Sequence, residues 1–298
     1  MATAVETFRE LSQPLEPIRT DEVPRLKQLE GIRVVLFDLY GTLLVSGSGE
    51  VGTEATPCHL ALAEAFRAMG IAASAPPEEA VACFFDTIKS MHRDLRDSGR
   101  DWPEIDIREA WTRVLSELVE RGGLDPSSRE GIDIAQLAVE YEARANPVWP
   151  MPGALEGLAA LRAGGCLLGI VSNAQFYTLA LIEALFGCRA EPLGFDPALQ
   201  FYSYQHGWGK PSRRLFEMAA VALADRLIMP SEVVFVGNDM LNDIFAARMV
   251  GFRTALFAGD ARSLRWRSDD PQVKEVTPDL VLTELPQLAE CIIDKGSG

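Results

Sequence analysis

The stretch Val34-Val35-Leu36-Phe37-Asp38-Leu39-Tyr40-Gly41-Thr42 opens with an apolar run long enough for a buried strand and ends on a carboxylate, a glycine and a hydroxyl. A short, continuous apolar run bounded by turn residues reads as a strand covered on both faces, the habit of parallel sheets. Its end presents Asp38 to whatever binds there. A carboxylate in that place serves as a nucleophile, a metal ligand or both.

Working outward, residues 1–30 form a polar, proline-containing leader, and residues 46–146 carry a helical period. Leu62, Phe66 and Met69 recur at helical spacing, as do Phe84, Ile88, Met91 and Leu95, then Trp111, Leu115 and Leu118, then Ile134, Leu137, Ala138 and Tyr141. Loops at Pro76-Pro77, Gly99, Pro103, Gly122-Gly123 and Pro126 separate them, so the spacing predicts four amphipathic helices in a small antiparallel bundle. From residue 147 onward helices and strands alternate: a helix at 152–162 closed by Gly164-Gly165, a strand at 166–171, helices at 177–186 and 215–223, a strand at 233–236, a helix at 244–249, and short strands at 254–257 and 280–282. Alternation of this kind implies parallel strands joined by crossover helices. The chain reads as an α/β core, residues 31–45 and 147–298, interrupted after its first strand by the helical insert. Ligands of such sheets bind beyond the carboxyl ends of the strands.

Composition narrows the function. A chain of 298 residues with 48% hydrophobic content buries a sizeable core, and its net charge of -15 argues against a nucleic-acid partner, which needs a basic surface. No apolar run approaches the roughly 20 residues that span a bilayer, and residues 1–20 lack the blocks of a signal peptide. Soluble, cytoplasmic placement is the expectation. The five cysteines are odd in number and never paired as Cys-x-x-Cys, which fits reduced thiols better than a disulfide or zinc site.

Four strand-end segments carry the chemistry: Asp38-Leu39-Tyr40-Gly41-Thr42, Val171-Ser172-Asn173-Ala174, Gly209-Lys210-Pro211, and Gly237-Asn238-Asp239-Met240-Leu241-Asn242-Asp243. In order and spacing they resemble the four motifs of the haloacid dehalogenase-like hydrolase superfamily, over about residues 31–290. The resemblance implies a Rossmann-like parallel sheet with a helical-bundle cap inserted after the first motif, here at 46–146. It also implies that Asp38 is a nucleophile forming a covalent aspartyl intermediate, that Thr42 braces its loop, and that Ser172 binds a phosphoryl oxygen with Asn173 in support. Lys210 matches the lysine that offsets charge in the transition state. The expected motion is closure of the cap about 45–52 and 146–149.

The acidic fourth segment carries the metal argument. Mg²⁺ takes oxygen ligands and keeps several waters, so Asp38, the Tyr40 carbonyl and an acid of this segment suffice. A gap-free match puts Asn238 where the family's first aspartate usually stands, with Asp239 next; either Asn238 supplies a neutral oxygen or Asp239 takes the direct position, and Asp239 with Asp243 is the favoured pair.

Tyr40 is the second departure. The family's phosphatases usually carry an aspartate two residues after the nucleophile, as general acid and base. A phenol with a pKa near ~10 stays protonated at neutral pH and cannot easily do the base step. Asp-x-Tyr-Gly-Thr looks like the 2-haloacid dehalogenases, where halide leaves unprotonated and no metal is needed. Those enzymes carry a Trp-Arg pair early in the cap, absent from His59-Leu60-Ala61-Leu62-Ala63-Glu64-Ala65-Phe66-Arg67. The expectation is a Mg²⁺-dependent phosphatase of small phosphate esters; the alternatives are a metal-independent dehalogenase and a non-catalytic binding protein on the same scaffold.

Three further features read as bystanders. Gly47-Ser48-Gly49-Glu50-Val51-Gly52 matches a dinucleotide loop but lies past the strand end, and a hinge fits better. His59 and His92 read as helix-surface residues. Arg262, Arg265 and Arg267 read as a solvated loop.

Overall fold

Val35 and Phe37 point into one apolar layer, Val34 and Leu36 into another, and all four are almost completely buried. A strand covered on both faces belongs at the centre of a sheet, and β1 (Val34–Phe37) lies there in a computed structural model that describes residues 2–48 and 58–293. From Gly49 onward, the glycine-rich stretch falls outside the described residues.

The N-terminal helix α1 (Ala4–Leu11) precedes β1, and β2 (Leu44–Ser46) follows it. Then come α2 (Cys58–Ala68), α3 (Pro77–Asp97), α4 (Ile107–Glu120), α5 (Ile134–Ala145) and β3 (Val148–Pro150). The remainder runs α6 (Ala154–Ala163), β4 (Leu167–Ser172), α7 (Thr178–Phe186), α8 (Ala190–Leu193), β5 (Phe195–Tyr202), α9 (Ser203–His206), α10 (Arg214–Ala224), β6 (Val233–Gly237), α11 (Ala246–Met249), β7 (Arg253–Phe257), β8 (Leu280–Leu282) and α12 (Gln287–Ile292). The main sheet is parallel throughout in the order β5-β4-β1-β6-β7-β8. Its fold class is α/β, with a Rossmann-like core. Each site segment therefore leaves the same edge of the sheet: β1 ends at Phe37, β4 at Ser172 and β6 at Gly237.

The helices between β2 and β3 start and stop where local chemistry dictates. Asp106 caps α4 by accepting from the Arg108 amide, Asp133 caps α5 by accepting from the Gln136 amide, and Pro77 opens α3 at the one position where a missing N–H costs nothing. Their apolar faces meet around Trp111, whose ring packs 4.4 Å from Phe84 and 5.2 Å from Tyr141 between centroids. β2 and β3 form a two-stranded antiparallel ladder, Val45 opposite Trp149, through which the insert joins the sheet. A second attachment runs through the segment before α4: the Gly209 amide donates to the Trp102 carbonyl at 2.8 Å and the Glu104 amide to the Gly207 carbonyl at 3.2 Å.

Besides the short elements β2, β3, α8, α9 and α12, β5 and α1 were not expected. β5, the edge strand beyond β4, carries Asp196, Pro197 and Gln200 and so lacks an apolar run. The leader is not featureless: Thr3 and Glu6 close a capping box that starts α1, and Phe8 is buried against Tyr177 at 6.1 Å between ring centroids. Helix α1 packs on both α5 and α7, and the Gln136 amide group donates to the Thr7 hydroxyl at 2.8 Å. Farther along, the Arg25 and Val281 backbones exchange hydrogen bonds, which covers the exposed edge of β8. Phe8→Ala should lower the free energy of unfolding by about 3 kcal/mol, the ordinary cost of emptying a phenylalanine site, as measured by denaturant titration.

Candidate active site

The ammonium of Lys210 lies between two carboxylates, 2.8 Å from Asp38 Oδ1 and 2.6 Å from Asp243 Oδ1, with nearly all of its surface buried. Asp38 stands just past β1, its amide donating to the Val236 carbonyl at 2.9 Å, so the sheet ladder itself fixes the carboxylate. Gly41 makes the following turn possible: its φ is 79°, and a Cβ there would meet Ser263 at 2.6 Å and Asn238 at 2.8 Å. Lys210 is placed from the β4 side. Asn173 accepts from the Lys210 amide at 2.6 Å and donates to its carbonyl at 3.1 Å, clamping the lysine backbone to the end of β4. Burial alone would lower the Lys210 pKa, but the Asp243 and Asp38 charges outweigh it and hold it above the ordinary lysine value. Burial pushes the Asp243 carboxyl up, opposed by Lys210 and reinforced by the Asp38 and Asp239 charges.

The fourth segment divides its polar groups differently from the expected metal pair. Asp239 lines the same cavity, but its carboxylate accepts from the Leu241 amide at 2.8 Å and the Asn242 amide at 3.1 Å, and pairs with the Arg267 guanidinium at 2.7 Å. It caps a single π-helical turn, Met240–Phe245, and its charge is matched locally. Asp243 alone of the two therefore faces Asp38, through Lys210. Of the favoured Asp239–Asp243 pair, Asp243 contacts Lys210, while both Asp239 oxygens accept from its own loop and from Arg267. Asn238 bridges the loops, accepting from the Thr42 hydroxyl at 3.1 Å and donating to the Ser263 carbonyl at 2.7 Å. A Cβ on Gly237 would fall 2.4 Å from the Asp243 carboxyl carbon, so that glycine lets Asp243 close on the strand end. Ser172 is fully buried, with only a 3.5 Å approach to the Asn173 carbonyl, while its neighbour Asn173 lines the cavity.

That cavity, about 440 Å³, runs from Asp38, Tyr40, Lys210 and Asp243 into the helical insert. Its insert side is aromatic, with Phe84, Phe85, Trp102, Trp111 and Tyr141. Three basic residues revise the reading of the sequence. His92 lines the cavity from α3 instead of facing solvent, and Arg265 lines it from the loop after β7. Arg267 is the partner of Asp239 instead of a solvated residue. His206 packs near Phe201, 6.2 Å between rings. Two carboxyls missed by sequence reasoning also stand in the wall. Glu142 accepts from the Tyr177 hydroxyl at 2.9 Å and from Asn146 at 3.0 Å, and burial raises its pKa. Glu104 accepts from the Ser203 hydroxyl at 2.7 Å and from Gln175 at 3.2 Å. The Tyr40 hydroxyl lies 3.0 Å from Thr178 Oγ1, and burial and the Glu142 charge push its pKa far up, so the phenol stays protonated.

A family model for haloacid dehalogenase-like hydrolases matches residues 32–251. The chain is a haloacid dehalogenase-like hydrolase. It is 26% identical over 211 residues, 65% of this chain and 80% of the relative, to a glyceraldehyde 3-phosphate phosphatase of Pyrococcus furiosus. Two solved structures share the hydrolase fold. A 2-haloacid dehalogenase of Pseudomonas syringae superposes at a TM-score of 0.54 with 22% identity, covering 87% of this chain and 97% of that one. A phosphatase of the family from Thermococcus onnurineus superposes at 0.52 with 20% identity and the same coverages.

Glu104 ties the insert of this hydrolase to its core, and burial pushes its carboxyl from 4.5 up to about 7 against the Ser203 and Ile105 hydrogen bonds. Between those two values the folded chain holds a proton that the unfolded chain has released. Stability must therefore fall as pH rises through that window and level off above it. Glu104→Gln should remove this part of the slope in thermal unfolding midpoints measured from about pH 5 to about pH 8.

Proposed function

We propose that this hydrolase cleaves phosphate monoesters through an aspartyl phosphate on Asp38. The observation that carries this reading is the buried Lys210 ammonium at the core end of the cavity, facing Asp38. The core end holds Lys210 between Asp38 and Asp243, whereas the insert end presents Glu104 and Glu142. A phosphate ester places its anion at Lys210 and its organic part against the aromatic wall of the insert. The named activity of the Pyrococcus relative supports the same reading.

Lys210 engages Asp38 Oδ1 and leaves Oδ2 to attack phosphorus. The new oxygen–phosphorus bond forms as the ester bond breaks, and the leaving oxygen carries away the electron pair. Water then attacks the same phosphorus, releasing phosphate and restoring the Asp38 carboxylate. The Lys210 ammonium offsets charge on the transferred group, and Asp243, buried and fixed by the Asp239 amide at 2.9 Å, holds that ammonium in place. With its pKa pushed far up by burial, Tyr40 is a poor proton donor as well as no base, so the reaction favours an ester whose leaving group departs with little protonation.

The oxygens at the strand end suit Mg²⁺ in its least demanding form. The Asp38 carboxylate and the Tyr40 carbonyl would ligate, and the Asn238 amide oxygen, with one lone pair given to Thr42, retains another. Asp243 would act through water, and Asp239 would not ligate. When bound, the ion neutralises negative charge on the phosphoryl oxygens.

Dehalogenation is the second reading, and Tyr40 favours it. Purified protein should release phosphate from an ester panel in a Mg²⁺-dependent manner, and Asp38→Asn should lower that rate more than about a thousandfold. Halide released from 2-haloacids without metal would favour the second reading instead. Silence in both assays, with Asp38→Asn behaving like the parent, would point to a binding role.

A further inference from the structure

In the loop after β7, Arg262 pairs with Asp260 at 3.4 Å and Arg267 with Asp239 at 2.7 Å. Arg265, between them, lines the cavity half-buried and forms no ion pair among the described residues. One terminal nitrogen of its guanidinium donates to the Arg262 carbonyl at 2.8 Å and to the Leu264 carbonyl at 3.0 Å, which uses both hydrogens of that nitrogen. The opposite edge, Nε–H and the other NH₂ group, has no acceptor among the described residues. Its backbone is stapled to the fourth strand-end segment: the Arg265 amide donates to the Asn238 carbonyl at 2.9 Å, and the Met240 amide to the Arg265 carbonyl at 2.9 Å. The leader straps the same loop from outside. The Thr20 hydroxyl donates to the Ala258 carbonyl at 2.6 Å, the Ala261 amide to the Ile18 carbonyl at 2.7 Å, and the Trp266 indole to Glu22 at 2.6 Å. Loop and strap both lie outside residues 32–251, the part matched by the family model.

We infer that Arg265 determines specificity: its open edge receives a carboxylate of the substrate, so that the chain selects phosphate monoesters that also carry a carboxylate. This deepens the phosphatase reading and rests on it. Two parallel N–H donors match the two oxygens of a planar carboxylate, and a guanidinium keeps its charge at every relevant pH. On the core wall of the cavity, Lys210 is already shared by Asp38 and Asp243, and Asp239 is matched by Arg267. Arg265 is therefore the cation of that wall which a second anion can claim. The two carbonyls of its own loop fix the guanidinium before any ligand arrives, so little side-chain freedom is lost on binding.

Binding tests this without turnover, by calorimetry on the full chain with Mg²⁺ present. Phosphonoacetate, 3-phosphonopropanoate and 4-phosphonobutanoate are each compared with the corresponding carboxamide, which has the same shape without the charge. The acid of best-fitting length should bind about tenfold more tightly than its amide, the worth of one charge-assisted hydrogen-bonded pair. Arg265→Gln should bring that ratio to within about twofold, and Arg265→Lys should restore part of it, because lysine keeps the charge and loses the two-pronged edge. Since either variant also loses the bonds to the Arg262 and Leu264 carbonyls, a second measurement uses the parent protein labelled with ¹⁵N-arginine. The Arg265 Nε–H resonance, identified by its absence from Arg265→Lys, should move with the acid and not with the amide. Equal affinity of acid and amide at every length, a ratio that survives Arg265→Gln, or an Arg265 resonance indifferent to the acid overturns the subsite alone. Failure of every phosphonate to bind, amides included, overturns both the subsite and the phosphatase reading.

Discussion

The buried ammonium of Lys210 is the constraint on which the site depends. One positive charge serves two carboxylates in an apolar setting, with the Phe235 ring 5.4 Å away. Removing Lys210 would leave two carboxylates facing each other without a counter-charge, which is far more costly than the ion pair is stabilising. The surrounding geometry follows from this need. Asn173 clamps the lysine backbone, Gly237 makes room for Asp243, and the β1–β6 ladder sets Asp38 opposite it. On the proposed reading, the same arrangement positions a carboxylate for attack and supplies the cation that a transferred anion requires.

How much of this was legible in the sequence depended on the kind of signal. β1, β4, β6 and β7 are continuous apolar runs and could be found, as could the four helices of the insert from their 3.6-residue period. β5 could not, because an edge strand is half exposed and reads as a mixture. Helix α1 did leave a signal, the Thr3-x-x-Glu6 box, in a segment otherwise polar enough to pass as coil. In the site, Asp38, Lys210 and Asp243 came from residue type and order. The diversion of Asp239 did not, since Arg267 lies in a distant loop with its own backbone in the left-handed region at a φ of 52°.

The cavity wall shows a more general limit. Trp111 and Phe84 were found as members of an apolar stripe, and periodicity states only that a face is buried. It does not state whether that face meets another helix or an enclosed space. Glu104 and Glu142 carry no pattern at all, and only their shared wall gives them meaning. The departures from the family's common motifs, Tyr40 and Asn238, were visible as letters. Their significance came from neighbours: Thr178 for the phenol, Thr42 and Ser263 for the amide.

Among the described residues the insert is held at several separated places, including the β2–β3 stem, the Trp102–Glu104 segment on Gly207–Gly209, and α1 wedged against both α5 and α7. A body fixed along a single hinge line swings freely, whereas one supported like a tripod has no free axis of rotation. Opening the cavity by a whole-insert swing about the stem would have to release the other two supports together. The backbone contacts at Gly207–Gly209, only a step from Lys210 in the chain, make that support and the buried ammonium mechanically one piece.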